Sequence, residues 1–169
     1  RPCRSPRPAG GSSRRCRCQL KRAQVLPQQP PPSRRTLADR VCALDLADHV
    51  RFLGEVADIP LLLAASDLHI HPSREDAFPN SVLEAMAAGL PVVATAVGAV
   101  PHILDGTGSR LCPPRTPAAL ADAVAMLAAA PVMRQLQGTA NAQRARARYG
   151  VATVAEAYER LYRATSRTG

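Results

Sequence analysis

The 169-residue sequence has no tryptophan, few aromatic residues and a single lysine, Lys21. It contains no apolar run approaching the roughly 18–20 residues that a membrane-spanning helix needs. The N-terminal segment lacks the apolar stretch of a secretory signal, which argues against that class of leader. We therefore expect a cytoplasmic protein.

Cysteine occurs five times but never in the paired CxxC units that bind zinc. An odd count and the scattered positions argue against a disulfide framework. The expected environment is reducing. The five positions are Cys3, Cys16, Cys18, Cys42 and Cys112.

The formal charge of +9 is concentrated at one end of the chain. Residues 1–40 hold 11 of the 22 basic residues and one acid, a net of +10, whereas residues 41–169 hold 11 basic residues and 12 acids, a net of −1. The basic leader allows one alternative function, salt-sensitive binding of nucleic acid. The leader lacks Phe, Tyr and Trp for base stacking, so we do not expect nucleic acid as the partner.

Two regions are expected. Residues 1–36 contain seven of the 16 prolines and show no helical or strand period, which predicts a disordered leader. From residue 37 to 169, short apolar segments alternate with helical patterns, which predicts one α/β domain with a doubly wound parallel sheet. Strands are predicted at 49–54, 67–73, 90–95 and 109–114, and helices at 37–48, 58–66, 80–89, 99–104, from 117, at 132–148 and from 151.

Several predicted helix ends have capping residues. Asp58 is a candidate N-cap, Thr116 precedes a proline that suits a first helical position, and Gly89 suits the position after a helix. In the last helix, Tyr158 and Tyr162 are expected to pack against the domain.

The loop that follows the strand at 67–73 is the candidate site. Ligands of open α/β sheets bind beyond the carboxyl ends of the strands, and a loop entering a helix offers free N–H groups to phosphate. Asp76 lies in this loop, and Glu84 lies near the start of the next helix. One carboxylate can accept the hydroxyls of a ribose, and the other can reach a sugar beyond the diphosphate. This arrangement suits a nucleotide-diphospho-sugar as the ligand.

The segment HPSREDAFPNSVLEAMAAGLPVVATAVGAVP, at 71–101, resembles the signature of retaining glycosyltransferases of family 4, which have the GT-B fold. The residues before it, 48–73, and the helix after it, 120–131, are similar to the family as well. The resemblance covers about 37–165. It implies the Rossmann-like C-terminal half of a GT-B enzyme, which binds the sugar donor and requires no metal or other cofactor.

The resemblance also implies roles for individual residues. Glu84 matches the acid that contacts the donor ribose, and Asp76 stands at the position of the acid that contacts the transferred sugar, where the family usually has Glu. Gly54 matches the turn near the base. The backbone that approaches the diphosphate matches Phe78, Pro79, Asn80 and Ser81.

The sequence departs from the family pattern in ways that affect the donor pocket. Ala99 and His102 replace a common Gly and a common Glu. The acceptor-binding N-terminal half and the first strand with its basic pair are not recognised, so we expect a truncated, inactive chain. We also expect that a separate N-terminal half could dock on it, and that the full-length enzyme could lie at the inner face of the membrane. The acceptor, a glycan or a lipid, stays open.

Simpler interpretations remain for the same residues. Ser81 and Glu84 fit a capping box, Asp76 could be a solvated loop acid, and Asn80 could be only a cap. His69 and His71 share one strand face but lack a third metal ligand, so His71 is interpreted as a residue of the donor crevice. A further alternative for the whole chain is an α/β module that only binds a partner.

Overall fold

A computed structural model describes residues 34–166. These residues belong to two compact units that divide between Ala57 and Asp58, so the single domain predicted from residue 37 is separated into two parts. Helix α1 (Arg34–Ala43) lies in the first unit. This helix begins at Arg34, three residues before the predicted boundary at residue 37. The rest of the leader lies outside the described residues.

The predicted strand at 49–54 is not formed. Only Arg51 has a single bridge-type backbone pairing, and the chain on either side of it is irregular. An apolar run records burial, whereas a strand also needs a neighbouring strand along its length. Gly54 closes this stretch with a φ of 71°, and a side chain added there would meet no atom within 4 Å.

The second unit contains a three-stranded parallel sheet. Strands β1 (His69–His71), β2 (Val92–Thr95) and β3 (Arg110–Cys112) lie in the order β1-β2-β3, with Ile70 beside Val93 and Ala94 beside Leu111. The predicted α/β class with a parallel sheet is confirmed.

Helices cover both faces of this sheet. The helices of the second unit are α2 (Ile59–Ala64), α3 (Asn80–Ala87), α4 (Val100–Ile103), α5 (Pro117–Ala129), α6 (Pro131–Tyr149) and α7 (Val151–Thr165). Val92 and Ala94 of β2 pack in a cluster with residues of α2, α3, α4 and α6, whereas Val93 packs in another cluster with residues of α5. The alternation of side chains along β2 therefore builds two cores, one on each face.

The predicted caps are largely confirmed. The Asp58 side chain accepts a hydrogen bond from the Leu61 backbone N–H at 2.9 Å. Gly89 has a φ of 77° after α3, and the N–H groups of Gly89 and Leu90 donate to carbonyls of the last turn, as in a Schellman motif. Thr116 is the N-cap of α5 by position, but its side chain makes no capping hydrogen bond.

Helix α6 is tied to the sheet at one close crossing and by buried polar groups. A Cβ on Gly138 would lie 2.0 Å from the Gly89 carbonyl oxygen, so α6 approaches the end of α3 as only glycine permits. The fully buried Asn141 donates from Nδ2 to the Leu90 carbonyl at 2.7 Å and accepts from Ser109 Oγ at 3.0 Å. These contacts fix the chain that enters β2.

Helix α7 contradicts its prediction. It has no buried residue, and Tyr158 and Tyr162 are 58% and 67% exposed rather than packed against the domain. The other large apolar side chains on the helix are also exposed, namely Val151, Val154 and Leu161. The amphipathic pattern is present, but it meets no partner within residues 34–166.

No single helix in the described part of the chain is long and apolar enough to cross a membrane. One pair of helical segments, Pro117–Ala129 and Pro131–Thr165, is long and apolar enough when the two are taken together, but the pair is bent by 105°.

Candidate functional site

The candidate site lies at the carboxyl ends of β1 and β2, where two loops meet. Thr95, the last residue of β2, donates its hydroxyl to the Ser73 carbonyl at 2.6 Å, with a second contact to the His71 carbonyl at 3.2 Å. The Ala99 N–H donates to the Ala77 carbonyl at 2.9 Å. Loops 72–79 and 96–99 are thereby joined at both ends into one wall at the start of α3. We call them the crevice loops, after the donor crevice that the sequence predicts at this edge of the sheet.

Gly98 sets how closely the crevice loops approach. Its φ is +48°, and an added Cβ would lie 1.9 Å from the Asp76 carbonyl oxygen and 2.7 Å from that of Ala77. Any other residue would force the two backbones apart. The sequence offered Gly98 only as part of the family segment, and neither Gly98 nor Thr95 was predicted as a site residue.

Asp76 and His71 come together in this wall. Their side-chain atoms Oδ2 and Nε2 are 3.4 Å apart, with the side chain of Asp76 20% exposed and that of His71 6% exposed. The two atoms are close enough for an ion pair but are not aligned as a hydrogen bond, so His71 Nε2 is buried without a hydrogen-bond partner in the structure. Burial lowers the pKa of His71, and the Asp76 carboxylate opposes that effect.

His69 lies behind His71 on the same strand face. The two imidazole rings are stacked, with centroids 6.4 Å apart and an interplanar angle of 18°. Burial, together with a smaller contribution from the neighbouring His71, lowers the pKa of His69 from 6.5 to about 4. No group of three or more His, Cys, Asp or Glu side chains that could hold a metal occurs within residues 34–166.

The start of α3 carries no side-chain cap. Pro79 is the N-cap residue, Asn80 is the first helical residue, and neither caps the helix with its side chain. The alternative interpretation of Ser81 and Glu84 as a capping box is therefore wrong, because the helix begins two residues earlier than that box requires. The Asn80 cap is wrong for the same reason. Ser81 Oγ is instead buried without a hydrogen-bond partner.

Glu84 is exposed on α3, and its carboxylate makes no hydrogen bond or ion pair with the described residues. Such a side chain is free to accept a ligand. It follows the uncapped first turn by one turn of helix, so a ligand at that turn could extend along α3 toward it.

Phe78, in the loop that leads into α3, contacts the end of α6. It is 48% exposed, and its ring meets that of Tyr149 edge-on, with centroids 6.1 Å apart. Tyr149 is the last residue of α6. This contact could not be predicted from the sequence, because the two residues are far apart in the chain.

Two other expected pocket residues have defined positions. Ala99 is the residue whose N–H joins the crevice loops, and His102 is exposed in α4, where its carbonyl accepts from Arg144 at 2.6 Å. Gly54 belongs to the first unit. The structure therefore brings His71 and Asp76 together directly and leaves Gly54 outside the unit that holds them.

A model of the family described as glycosyl transferases group 1 matches residues 26–130. The chain belongs to this family. The match begins within the region predicted as leader, so the family's sequence reaches further toward the N-terminus than residue 37.

Two relatives in the family are similar over most of this chain. The phosphatidyl-myo-inositol mannosyltransferase of Mycobacterium leprae is 37% identical over 128 residues, which cover 73% of this chain and 34% of that protein. The D-inositol 3-phosphate glycosyltransferase of Kineococcus radiotolerans is 38% identical over 139 residues, covering 76% and 32%. The chain spans about a third or less of the curated relatives it matches.

Solved structures confirm the GT-B type of fold. Sucrose-phosphate synthase from Thermosynechococcus elongatus superposes with a TM-score of 0.74 at 28% identity, covering 80% of this chain and 35% of that chain. Anabaena Alr3699/HepE in complex with UDP-glucose gives a TM-score of 0.72 at 27% identity, covering 77% and 36%.

Proposed function

We propose that this chain is the donor-binding part of a retaining, family 4-like glycosyltransferase, which transfers a sugar from a nucleotide-diphospho-sugar to a glycan or lipid acceptor. The observation that carries the proposal is the Asp76 carboxylate in the loop between β1 and an uncapped helix that carries Glu84. Family membership and the UDP-glucose complex of HepE support the same ligand class.

The diphosphate is assigned to the start of α3. Free N–H groups and the positive end of the helix dipole stabilise anions there, and no side chain of the N-cap residue competes for them. The buried Ser81 hydroxyl lacks a partner in the structure and could donate to a phosphate oxygen. The loop residues concerned are Phe78, Pro79, Asn80 and Ser81.

Each of the two acids is assigned to one of the two sugars of the donor. Glu84 is assigned to the ribose hydroxyls because it is exposed and unpaired beyond the first turn of α3. Asp76 is assigned to the transferred sugar as the catalytic carboxylate, since it borders the crevice beside the diphosphate site. His71 is assigned to the crevice beneath Asp76.

Transfer itself needs an acceptor site, which we assign to a separate N-terminal half. The protein would contribute orientation and stabilisation of the leaving diphosphate, without a metal or other cofactor. We expect the chain alone to be inactive. We place the full-length enzyme in the cytoplasm, at the inner face of the membrane when its acceptor is a lipid.

Thermal unfolding of the whole chain tests donor binding. The ligands are UDP, GDP, ADP and their sugar conjugates, and a ligand at a hundredfold excess over Kd stabilises the folded state by about 2.7 kcal/mol. We expect one nucleotide series to raise the unfolding temperature, and Glu84→Ala to abolish the rise. Asp122→Ala, which removes an exposed acid from α5, is the matched control and should keep it.

An absence of any shift for the well-folded chain would contradict the proposal. The chain would then be better described as an α/β module that only binds a partner.

A further inference from the structure

The contact between His71 and Asp76 has no counterpart in the roles assigned so far. Asp76 borders the crevice with a side chain that is 20% exposed, whereas the side chain of His71 is 6% exposed and lies beneath it. No other described side chain forms an ion pair or a hydrogen bond with the Asp76 carboxylate. Its orientation therefore depends on this one neighbour.

The backbone of Asp76 has little freedom to adjust. Its carbonyl oxygen lies against Gly98 so closely that a Cβ there would be 1.9 Å away. The Ala99 N–H holds the next carbonyl, that of Ala77, and Thr95 holds the Ser73 carbonyl. With the backbone fixed, only two side-chain torsions place the carboxylate, and the short aspartate side chain cannot compensate by bending.

The imidazole of His71 is equally restrained. Its ring is stacked on that of His69, and the strand that carries both is paired with β2. Burial keeps the pKa of His71 below its ordinary value, so the ring is neutral at neutral pH and has one N–H to donate. His69 and Asp76 are the titratable groups in contact with it, and His69 is uncharged at this pH.

We infer that His71 is a positioning residue for Asp76. The His71 Nε2–H donates to the Asp76 carboxylate and directs it at the donor sugar; the inference rests on the proposed function. A buried N–H without an acceptor is unfavourable. The 3.4 Å separation needs only a small rotation of the carboxylate to become a hydrogen bond, and such bonds are often long before the ligand is present.

The pair can be tested without a ligand. The His71 ring is titrated by NMR in the wild-type chain and in Asp76→Asn. Since the carboxylate raises the pKa of the ring, we expect a lower pKa in the variant. An unchanged pKa would show that the two side chains do not interact and would overturn the inference.

The positioning role is tested by binding. Dissociation constants are measured by calorimetry for UDP and UDP-glucose, and for GDP and GDP-mannose, because the difference within each pair isolates the contribution of the sugar. We expect His71→Leu to weaken the sugar contribution on the order of fivefold to tenfold while leaving the affinity for the bare nucleotide unchanged. His71→Gln, which keeps a donor N–H, should restore most of it.

Two controls separate positioning from packing. His69→Leu removes only the stacking partner of His71, which does not touch Asp76, and should cost much less of the sugar contribution than His71→Leu. His71→Leu should have no further effect in an Asp76→Asn background.

The outcomes distinguish this inference from the function on which it rests. If the wild-type chain binds neither these four ligands nor ADP and its sugar conjugates, the proposed function fails and the inference fails with it. If it binds them, three results overturn the inference alone. His71→Leu could lower the affinity for nucleotide and nucleotide-sugar equally, or His69→Leu could lower the sugar contribution as much as His71→Leu does. The third result is that His71→Leu lowers the sugar contribution by the same factor in the Asp76→Asn background. The Gln variant and the NMR titration decide the matter if His71→Leu does not fold.

Discussion

The crevice loops and helix α7 represent opposite ways in which this sequence uses its apolar and small residues. In the crevice loops, Gly98, Thr95 and Ala99 lock two backbones together through contacts inside one unit. In α7, five large apolar side chains are presented outward without a partner in the described chain. An apolar sequence pattern predicts that side chains are buried, but burial also needs a packing partner. The crevice loops have such a partner, and α7 has none among the described residues.

The largest effect is expected from Gly98→Ala. The added Cβ would lie 1.9 Å from a backbone oxygen and would also strain a residue at φ +48°. We expect a loss of about 3–5 kcal/mol of unfolding free energy, the range of severe overpacking and strain, together with loss of nucleotide binding. Urea denaturation measures the loss.

Gly106→Ala is the matched control for this change. Gly106 also has a positive φ, but no atom lies within 4 Å of the added Cβ. It should cost only about 1–2 kcal/mol, the strain of the left-handed backbone. If the two variants were equally stable, the crevice loops would not be locked as described.

Acid should lower the unfolding free energy through His69, which lies on β1 at the crevice side of the molecule rather than on α7. The pKa of His69 is about 4 in the folded state against 6.5 for the ordinary value, so the unfolded chain binds more protons between these pH values. Stability from this group is present above pH 6.5 and is lost as the pH falls toward 4. We expect a loss of up to about 3 kcal/mol, measured by urea denaturation across this range.

The comparison variant for the pH series is His69→Gln. It lacks the titrating group and should show a clearly shallower decline. An identical decline would assign the acid sensitivity to other groups.

A smaller loss is expected from Asn141→Ala. This change leaves the buried Leu90 carbonyl without its donor and the half-buried Ser109 hydroxyl without its acceptor. The unfolding free energy should fall by about 2–3 kcal/mol, the cost of buried polar groups left unpaired together with a small cavity. Gln143→Ala, an exposed change on the same helix, should be nearly neutral.

The smallest effect on stability should come from α7. Tyr158→Ser and Leu161→Gln remove exposed apolar surface, so each should change the unfolding free energy by no more than about 0.5 kcal/mol. The same variants should reduce self-association of the chain in light scattering. A loss above 1 kcal/mol would mean that α7 packs within the chain after all, and the contrast with the crevice loops would disappear.

Structural features that depend on local chemistry were predicted well from the sequence. Asp58 capped its helix and Gly89 ended α3 because a single side chain, or its absence, decides these features. Strand β2 was recognised because both of its faces are buried, and an unbroken apolar run is typical of such a strand.

Features that depend on distant partners were predicted poorly. The strand at 49–54 and the packing of Tyr158 were inferred from apolar patterns that say nothing about the partner. The capping box failed by two residues, since Pro79 rather than Ser81 is the N-cap of α3. In the site, the position of Asp76 could be proposed from the loop, but its contact with His71 depends on how β1 delivers the chain.

The close fit at Gly98 also has a consequence for the kinetics of ligand association. The crevice loops lose their conformational freedom when the chain folds, because Thr95 and Ala99 hold them in place before any ligand arrives. A ligand therefore has little loop entropy to remove, and more of its contact energy is retained as affinity. Its association rate should be set by diffusion and orientation rather than by loop closure, so variants that loosen this fit should slow binding as well as weaken it.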